Sequence, residues 1–262
     1  MSVVDLGAFV DELAALSGQA ILPFFRAAFG TEDKAAGIGA FDPVTEADRA
    51  AEAAMRRLIK ERFPQHGILG EEFGAEALDA EFVWVLDPID GTRAFIAGLP
   101  LWGTLIGLTR GGVPVRGLMH QPFTAERFSG DGGQATWRGP SGERRLRTRR
   151  CDRLADALLC TTSPKLFAGG EAVAYEAVEA ETRLARYGTD CYAYCMLAAG
   201  HVDLVVEAGL KPYDIVALIP IIEGAGGVVT DWQGHSAAGG GRIVAAGDPR
   251  LHEAALARLR DA

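Results

Sequence analysis

The chain has 262 residues, 48% of them hydrophobic, with 33 glycines and a formal net charge of −9. That length suits one large domain or two small ones packed together, with ample apolar material for a core. The acidic balance argues against general binding to nucleic acid or to a membrane surface, although a bound cation can reverse the sign of a single site and admit a phosphorylated substrate.

In chain order, residues 2–28 read as an amphipathic helix, and the stretch from Asp42 to Pro64 as a second one. Its start is expected near Thr45, a candidate N-cap with Asp48 three residues on, and Pro64 marks its far end. The run "FVWVLD" reads as a buried strand ending at Asp87. Residues 103–120 are two β-rich runs joined by Gly111-Gly112, a hairpin signal, and 126–139 extend it as a meander. Composition shifts over "GPSGERRLRTRR", residues 139–150, whose arginines are expected to decorate an exposed strand. That shift divides the chain into an N-terminal part, 1–140, and a C-terminal part, 141–262. Helices are then expected at about 171–182, 190–199, 214–225 and 249–261, with strands at 184–187, 202–207, 226–232 and 242–247. Antiparallel strands first and α/β alternation after predict an α+β protein with sheets layered between helix pairs.

The N-terminus shows no basic leader, and no apolar run nears the ~20 residues that span a bilayer, so the expected compartment is the cytoplasm. Cys151, Cys160, Cys191 and Cys195 form no CxxC pair and read as buried thiols. The chain has no GxSxG elbow, no GxxxxGK[ST] loop and no zinc-type histidine spacing.

What remains is rich in carboxylates. Asp87 and Asp90 bracket Pro88-Ile89, Glu71 lies sixteen residues upstream in "LGEEFG", and Asp214 opens a helical pattern. Two ionised carboxylates so close repel each other unless a cation sits between them. Carboxylates with a backbone carbonyl, and no His or Cys, make a hard oxygen site for Mg²⁺ or Mn²⁺. Singly, each acid could be a turn residue, a strand-end cap or a helix cap. Together, Asp-Pro-Ile-Asp-Gly-Thr points to a ligand. Gly91 lets backbone approach an anion, and the amides of Gly91 and Thr92 at a following helix start suit phosphate oxygens. A cation site beside a phosphate cradle implies metal-assisted attack of water on phosphorus.

"GEE" (70–72), "DPIDGT" (87–92), "YD" (213–214) before a helix and "GAGG" (224–227) resemble, in order and spacing, the inositol monophosphatase family, over nearly the whole chain. The resemblance implies an α-β-α-β-α layered fold, a homodimer, and Mg²⁺-dependent, lithium-inhibited hydrolysis of small phosphomonoesters with two or three ions. It implies that Glu71, Asp87, Asp90, Asp214 and the Ile89 carbonyl hold metal, and that Thr92, hydrogen-bonded to Asp48, orients the water and passes on its proton. Gly91 and Thr92 would bind phosphate, and Glu207 the organic part of the substrate.

The family's usual Trp-Asp is Tyr213-Asp214 here, and "LKPYD", "GTDCYAY" and "DGTRAF" look more like its histidinol-phosphatase branch. Asp190 falls where the inositol enzymes carry a small neutral residue. It would suit a cationic substrate such as histidinol phosphate, or else it caps the helix that begins there. The alternatives are an inositol-1-monophosphatase, a broad sugar-phosphate phosphatase, or a regulatory binding protein that keeps the fold without turnover.

Overall fold

The computed structural model describes residues 6–27 and 43–260. Helix α1 (Leu6–Ile21) buries Phe9, Val10 and Leu13, and helix α2 (Pro43–Arg62) follows. The first helix is shorter than the sequence suggests because Pro23 disfavours helical backbone at Leu22. Residues 2–5 and 28 of that expectation lie outside the described residues. The second helix starts two residues earlier than Thr45, at a proline whose fixed φ suits a first turn.

Strands β1 (Gly67–Gly70), β2 (Gly74–Glu76) and β3 (Phe82–Asp90) come next, then the short helix α3 (Thr92–Ile96). The meander β4 (Gly103–Arg110), β5 (Val113–Gln121), β6 (Glu126–Gly130), β7 (Ala135–Gly139) and β8 (Gly142–Arg145) completes an eight-stranded sheet ordered β2-β1-β3-β4-β5-β6-β7-β8. The Gly111-Gly112 hairpin joins β4 to β5 as expected, and β8 is exposed throughout, as its arginines suggest.

The second half contains β9 (Leu158–Thr161), α4 (Gly170–Glu181), β10 (Leu184–Tyr187), α5 (Asp190–Ala198) and β11 (Leu204–Leu210). It continues with α6 (Pro212–Ile215), α7 (Ile219–Gly224), β12 (Val228–Asp231), β13 (Gly241–Ala246) and α8 (Pro249–Leu259). Its five strands order as β10-β9-β11-β13-β12. The single helix expected at 214–225 is two, because Pro220 has no N–H to give the Val216 carbonyl. Strands β1 and β9, each four residues long, carry no period long enough to read from sequence.

Helices α1 and α2 cover one face of the large sheet over Phe9, Leu13, Met55, Ile59, Trp84 and Leu108. Helices α5 and α7 lie between the sheets, packing Met119 and Phe128 against Cys195, Ile221 and Val205. Helices α4 and α8 cover the outer face of the small sheet around Val178, Trp232 and Leu251. The layers therefore run α-β-α-β-α. The middle layer sits close on the large sheet because Gly117 has no side chain: a Cβ there would lie 1.8 Å from the Ala217 carbonyl oxygen. Three cysteines are buried, Cys151 is half-buried, and all four are free thiols. Among the described residues, no helix is long and apolar enough to cross a membrane.

Candidate active site

The acidic segment works through a break in strand register. Asp87 pairs with Leu105 and Asp90 with Gly103, so three steps on β3 oppose two on β4. In a regular strand, residues three apart face opposite sides; the extra residue of a bulge returns them to the same side. Pro88 suits the bulge because it has no N–H to lose from the ladder. Its carbonyl accepts the Thr104 hydroxyl at 2.8 Å, and Ser17 Oγ lies 2.9 Å from the same Thr104 oxygen. Since the Thr104 hydrogen goes to Pro88, Ser17 is the donor of that pair.

Past the bulge, Asp87, Asp90 and Asp214 each bring one carboxylate oxygen within 4.8 Å of the others. Asp87 is 1% exposed, and its Oδ1 is buried with no hydrogen-bond partner. Burial pushes its carboxyl well above the usual range, and the charges of Asp90, Glu71 and Asp214 push it further. Burial likewise raises Asp90, with Asp214 and Asp190 adding to it, and holds Asp214 up at about 6. Glu71 stands at the exposed rim within hydrogen-bonding reach of Asp87. Such a cluster needs a proton or a cation between its members. The donor set is all oxygen, and an unpartnered carboxylate oxygen lies within it, so these residues fit a hard divalent ion.

Two of these carboxylates, Asp90 and Asp214, are held from behind. Asp90 Oδ2 accepts the Cys191 N–H at 2.7 Å at the start of α5. Asp214 Oδ2 accepts the Lys211 N–H at 2.7 Å. Sequence reading missed Glu52, which is fully buried and anchors the Glu71-Glu72 loop. Its Oε2 accepts the Glu72 N–H at 2.8 Å, and its Oε1 accepts the Phe73 N–H at 3.2 Å and Arg56 Nε at 2.7 Å. Asp48, Glu52 and Arg56 recur every four residues on one face of α2, a spacing that could have drawn attention to them.

Gly91 sits at φ 89°, a left-handed conformation that favours glycine, and a Cβ there would lie 2.9 Å from the Leu101 carbonyl oxygen. The Thr92 hydroxyl is exposed and donates to the Ile89 carbonyl at 3.2 Å, the carbonyl expected to meet the metal. Asp48, the expected partner of Thr92, is buried at 6% exposure and near enough to add its charge to the push on Asp87.

Asp190 and Glu207 differ in burial and hydrogen bonding. Glu207 is 1% exposed, and both its oxygens are engaged. Oε1 accepts the Thr162 N–H at 2.6 Å and its hydroxyl at 3.0 Å, and Oε2 accepts the Thr161 hydroxyl at 3.2 Å. Burial pushes its carboxyl up to about 7. Asp190 is half-buried at φ 41°, with its charge felt at Asp90 and at Glu207. The carboxylate that caps α5 is Asp90.

Comparisons with known proteins identify the family. Over 260 residues the chain is 46% identical to the bifunctional phosphatase IMPL2, chloroplastic, of Arabidopsis thaliana, covering 95% of this chain and 73% of that protein. It is 34% identical over 221 residues to a histidinol-phosphatase of Mycobacterium tuberculosis, covering 83% and 84% of the two chains. A solved structure of an inositol monophosphatase from Zymomonas mobilis superposes with a TM-score of 0.88 at 42% identity, covering 99% of each chain. The sequence model of the inositol monophosphatase family matches residues 5–262, and the chain belongs to that family of metal-dependent phosphatases.

Proposed function

We propose that this phosphatase is Mg²⁺-dependent, with Mn²⁺ as a substitute, and that it hydrolyses L-histidinol phosphate. The observation that carries the substrate reading is Asp190. It stands beside Asp90, is spared from capping α5, and offers a carboxylate to an amine or imidazole. The name of the Mycobacterium tuberculosis relative supports the same reading.

In this reading Glu71, Asp87, Asp90, Asp214 and the Ile89 carbonyl hold two or three ions. When bound, the divalent cations supply Lewis acidity and neutralise charge on the phosphate and on the leaving oxygen. The Gly91 and Thr92 amides take phosphate oxygens. The Thr92 hydroxyl orients the attacking water through a lone pair. Its own hydrogen, given to Ile89 here, turns to Asp48, whose carboxylate then takes the proton. The water oxygen bonds to phosphorus as the bond from phosphorus to the ester oxygen breaks, and the leaving alkoxide takes its proton from a second water, which leaves hydroxide to collect the proton held by Asp48.

A second reading, inositol-1-phosphate or broader sugar-phosphate hydrolysis, is favoured by the end-to-end match to the Zymomonas mobilis structure. Phosphate release with Mg²⁺ on histidinol phosphate, inositol 1-phosphate and p-nitrophenyl phosphate decides between them. Higher kcat/KM on histidinol phosphate is the expected result; a preference for inositol phosphate refutes the substrate reading. We also propose a homodimer, for which light scattering should give about twice the 27.8 kDa of one chain.

A further inference from the structure

We propose that Thr104, backed by Ser17, is a positioning residue for the metal centre. Its hydroxyl fixes the Pro88 carbonyl, and with it the bulge that carries Asp87, Asp90 and the Ile89 carbonyl. The proposal rests on the reading of those three groups as metal ligands.

The register of β3 and β4 singles out Thr104. With Asp87 opposite Leu105 and Asp90 opposite Gly103, Thr104 alone faces the two residues Pro88 and Ile89. A bulge disrupts the ladder locally, and Pro88 has no N–H with which to restore it. A side chain holds this peptide instead. The Thr104 hydroxyl gives its hydrogen to the Pro88 carbonyl at 2.8 Å. The Ser17 hydroxyl, 2.9 Å away, completes a chain in which each bond polarises the next. Because a peptide is planar, fixing the Pro88 carbonyl fixes the Pro88–Ile89 unit, and so the directions in which Asp87 precedes it and Asp90 follows.

The chain is built on firm ground. Ser17 and Thr104 are both 0% exposed, and buried hydroxyls are costly unless they find partners, here across 87 residues of sequence. His120 lies directly opposite Thr104 on β5, and its Nδ1 is 2.9 Å from the Ala14 carbonyl, three residues before Ser17. Gly18 lets this part of α1 sit close, since a Cβ there would lie 2.9 Å from Pro122 Cβ. Two neighbouring side chains of the large sheet thus grip one turn of α1. Neither hydroxyl is a ligand; both act through the backbone at Pro88.

Titration calorimetry of the full-length protein with Mn²⁺ reads the effect without turnover. Thr104→Val keeps the branched shape and removes the hydroxyl. It should weaken Mn²⁺ binding about tenfold, the lower end for groups that orient metal ligands. Thr104→Ser should return the Kd to within about threefold of the wild type. The control is Thr109→Val on the same strand. The Thr109 hydroxyl makes the same kind of bond, at 3.3 Å to the Val83 carbonyl of β3, but far along the strand from the bulge. That variant should lose stability in urea, as Thr104→Val does, and keep the wild-type Kd for Mn²⁺. Unchanged affinity in Thr104→Val, no rescue by serine, or an equal loss in Thr109→Val overturns the proposal. Should valine at position 104 prevent folding, Ser17→Ala decides. It removes only the bond behind Thr104 and should weaken Mn²⁺ binding about threefold, and an unchanged Kd overturns the proposal. Asp90→Asn separates the two levels. If it binds Mn²⁺ as the wild type does, the reading of the ligands falls and the role of Thr104 with it. If it binds weakly while Thr104→Val binds normally, only the role of Thr104 is overturned.

Discussion

Asp90 caps helix α5 through Cys191: its Oδ2 accepts the Cys191 N–H at 2.7 Å across 101 residues of sequence. One carboxylate thereby faces the acidic cluster and also fixes the helix whose first residue is Asp190. The positive end of the helix favours the ionised form of Asp90, while burial beside Asp214 and Asp190 opposes it. The acidic cluster and the proposed substrate side share this one residue.

Asp90→Asn keeps an oxygen for the Cys191 amide and removes the charge, so it tests the charge alone. Turnover with Mg²⁺ should fall by about 10²-fold or more. In metal-free buffer the variant should melt about 2 °C or more above the wild type, since relief of repulsion is worth about 1 kcal/mol. Asp90→Ala loses the cap as well and should not share that gain. Scanning calorimetry with chelator and a phosphate-release assay measure both effects, and wild-type turnover in Asp90→Asn refutes the ligand role.

Thr92→Ala should lower kcat by about 10²-fold, the scale of lost proton transfer and water positioning. Mn²⁺ affinity by titration calorimetry should change little, because the Ile89 carbonyl remains in place. An unchanged kcat, or a loss of metal binding instead, contradicts the Thr92–Asp48 relay.

Glu52 touches neither metal nor phosphate in this arrangement, yet its removal should be felt at the metal. Glu52→Ala strands the Glu72 and Phe73 amides and the Nε–H of Arg56, whose other nitrogens keep Gly74 and Glu76, at a cost of about 3 kcal/mol. Glu52→Gln keeps the shape and one acceptor and should cost about 1–2 kcal/mol. With the loop loosened, the Mg²⁺ concentration for half-maximal turnover should rise about tenfold. Urea midpoints and Mg²⁺ titrations check this; an unchanged metal requirement in both variants shows that the loop needs no anchor.

His120 gives a pH dependence of stability. It is 7% exposed, its Nδ1 lies 2.9 Å from the Ala14 carbonyl, and burial with the Arg127 charge lowers its pKa to about 4. A histidine so depressed is neutral in the folded chain while the unfolded chain binds a proton near pH 6.5. Its contribution is therefore full above pH 6.5 and is lost as pH falls toward 4, at up to about 1.4 kcal/mol per pH unit. The stability difference between the wild type and His120→Gln should shrink from pH 7 to pH 4.5 in denaturant titrations. A constant difference means that His120 takes up its proton alike in the folded and the unfolded chain, which refutes the depression by burial.

Much of this was legible in the sequence because it depended on local rules. The apolar period of residues 103–139, with glycines at Gly111-Gly112, specifies the meander, and the Asp-Pro-Ile-Asp-Gly-Thr block marked the place where the acidic cluster forms. What the chain order could not disclose was which distant groups meet. The bulge that turns Asp87 and Asp90 to one side depends on pairing with β4, and the approach of Asp214 depends on glycines that let the middle helices sit on the large sheet. Glu52 looked like one acid among many on a surface helix until the loop at Glu72 folded over it. Asp190 and Glu207 looked equivalent as acids near a substrate. Burial and hydrogen bonding separated them, because Glu207 lies on a central strand with both oxygens engaged while Asp190 stands at a strained turn facing the site.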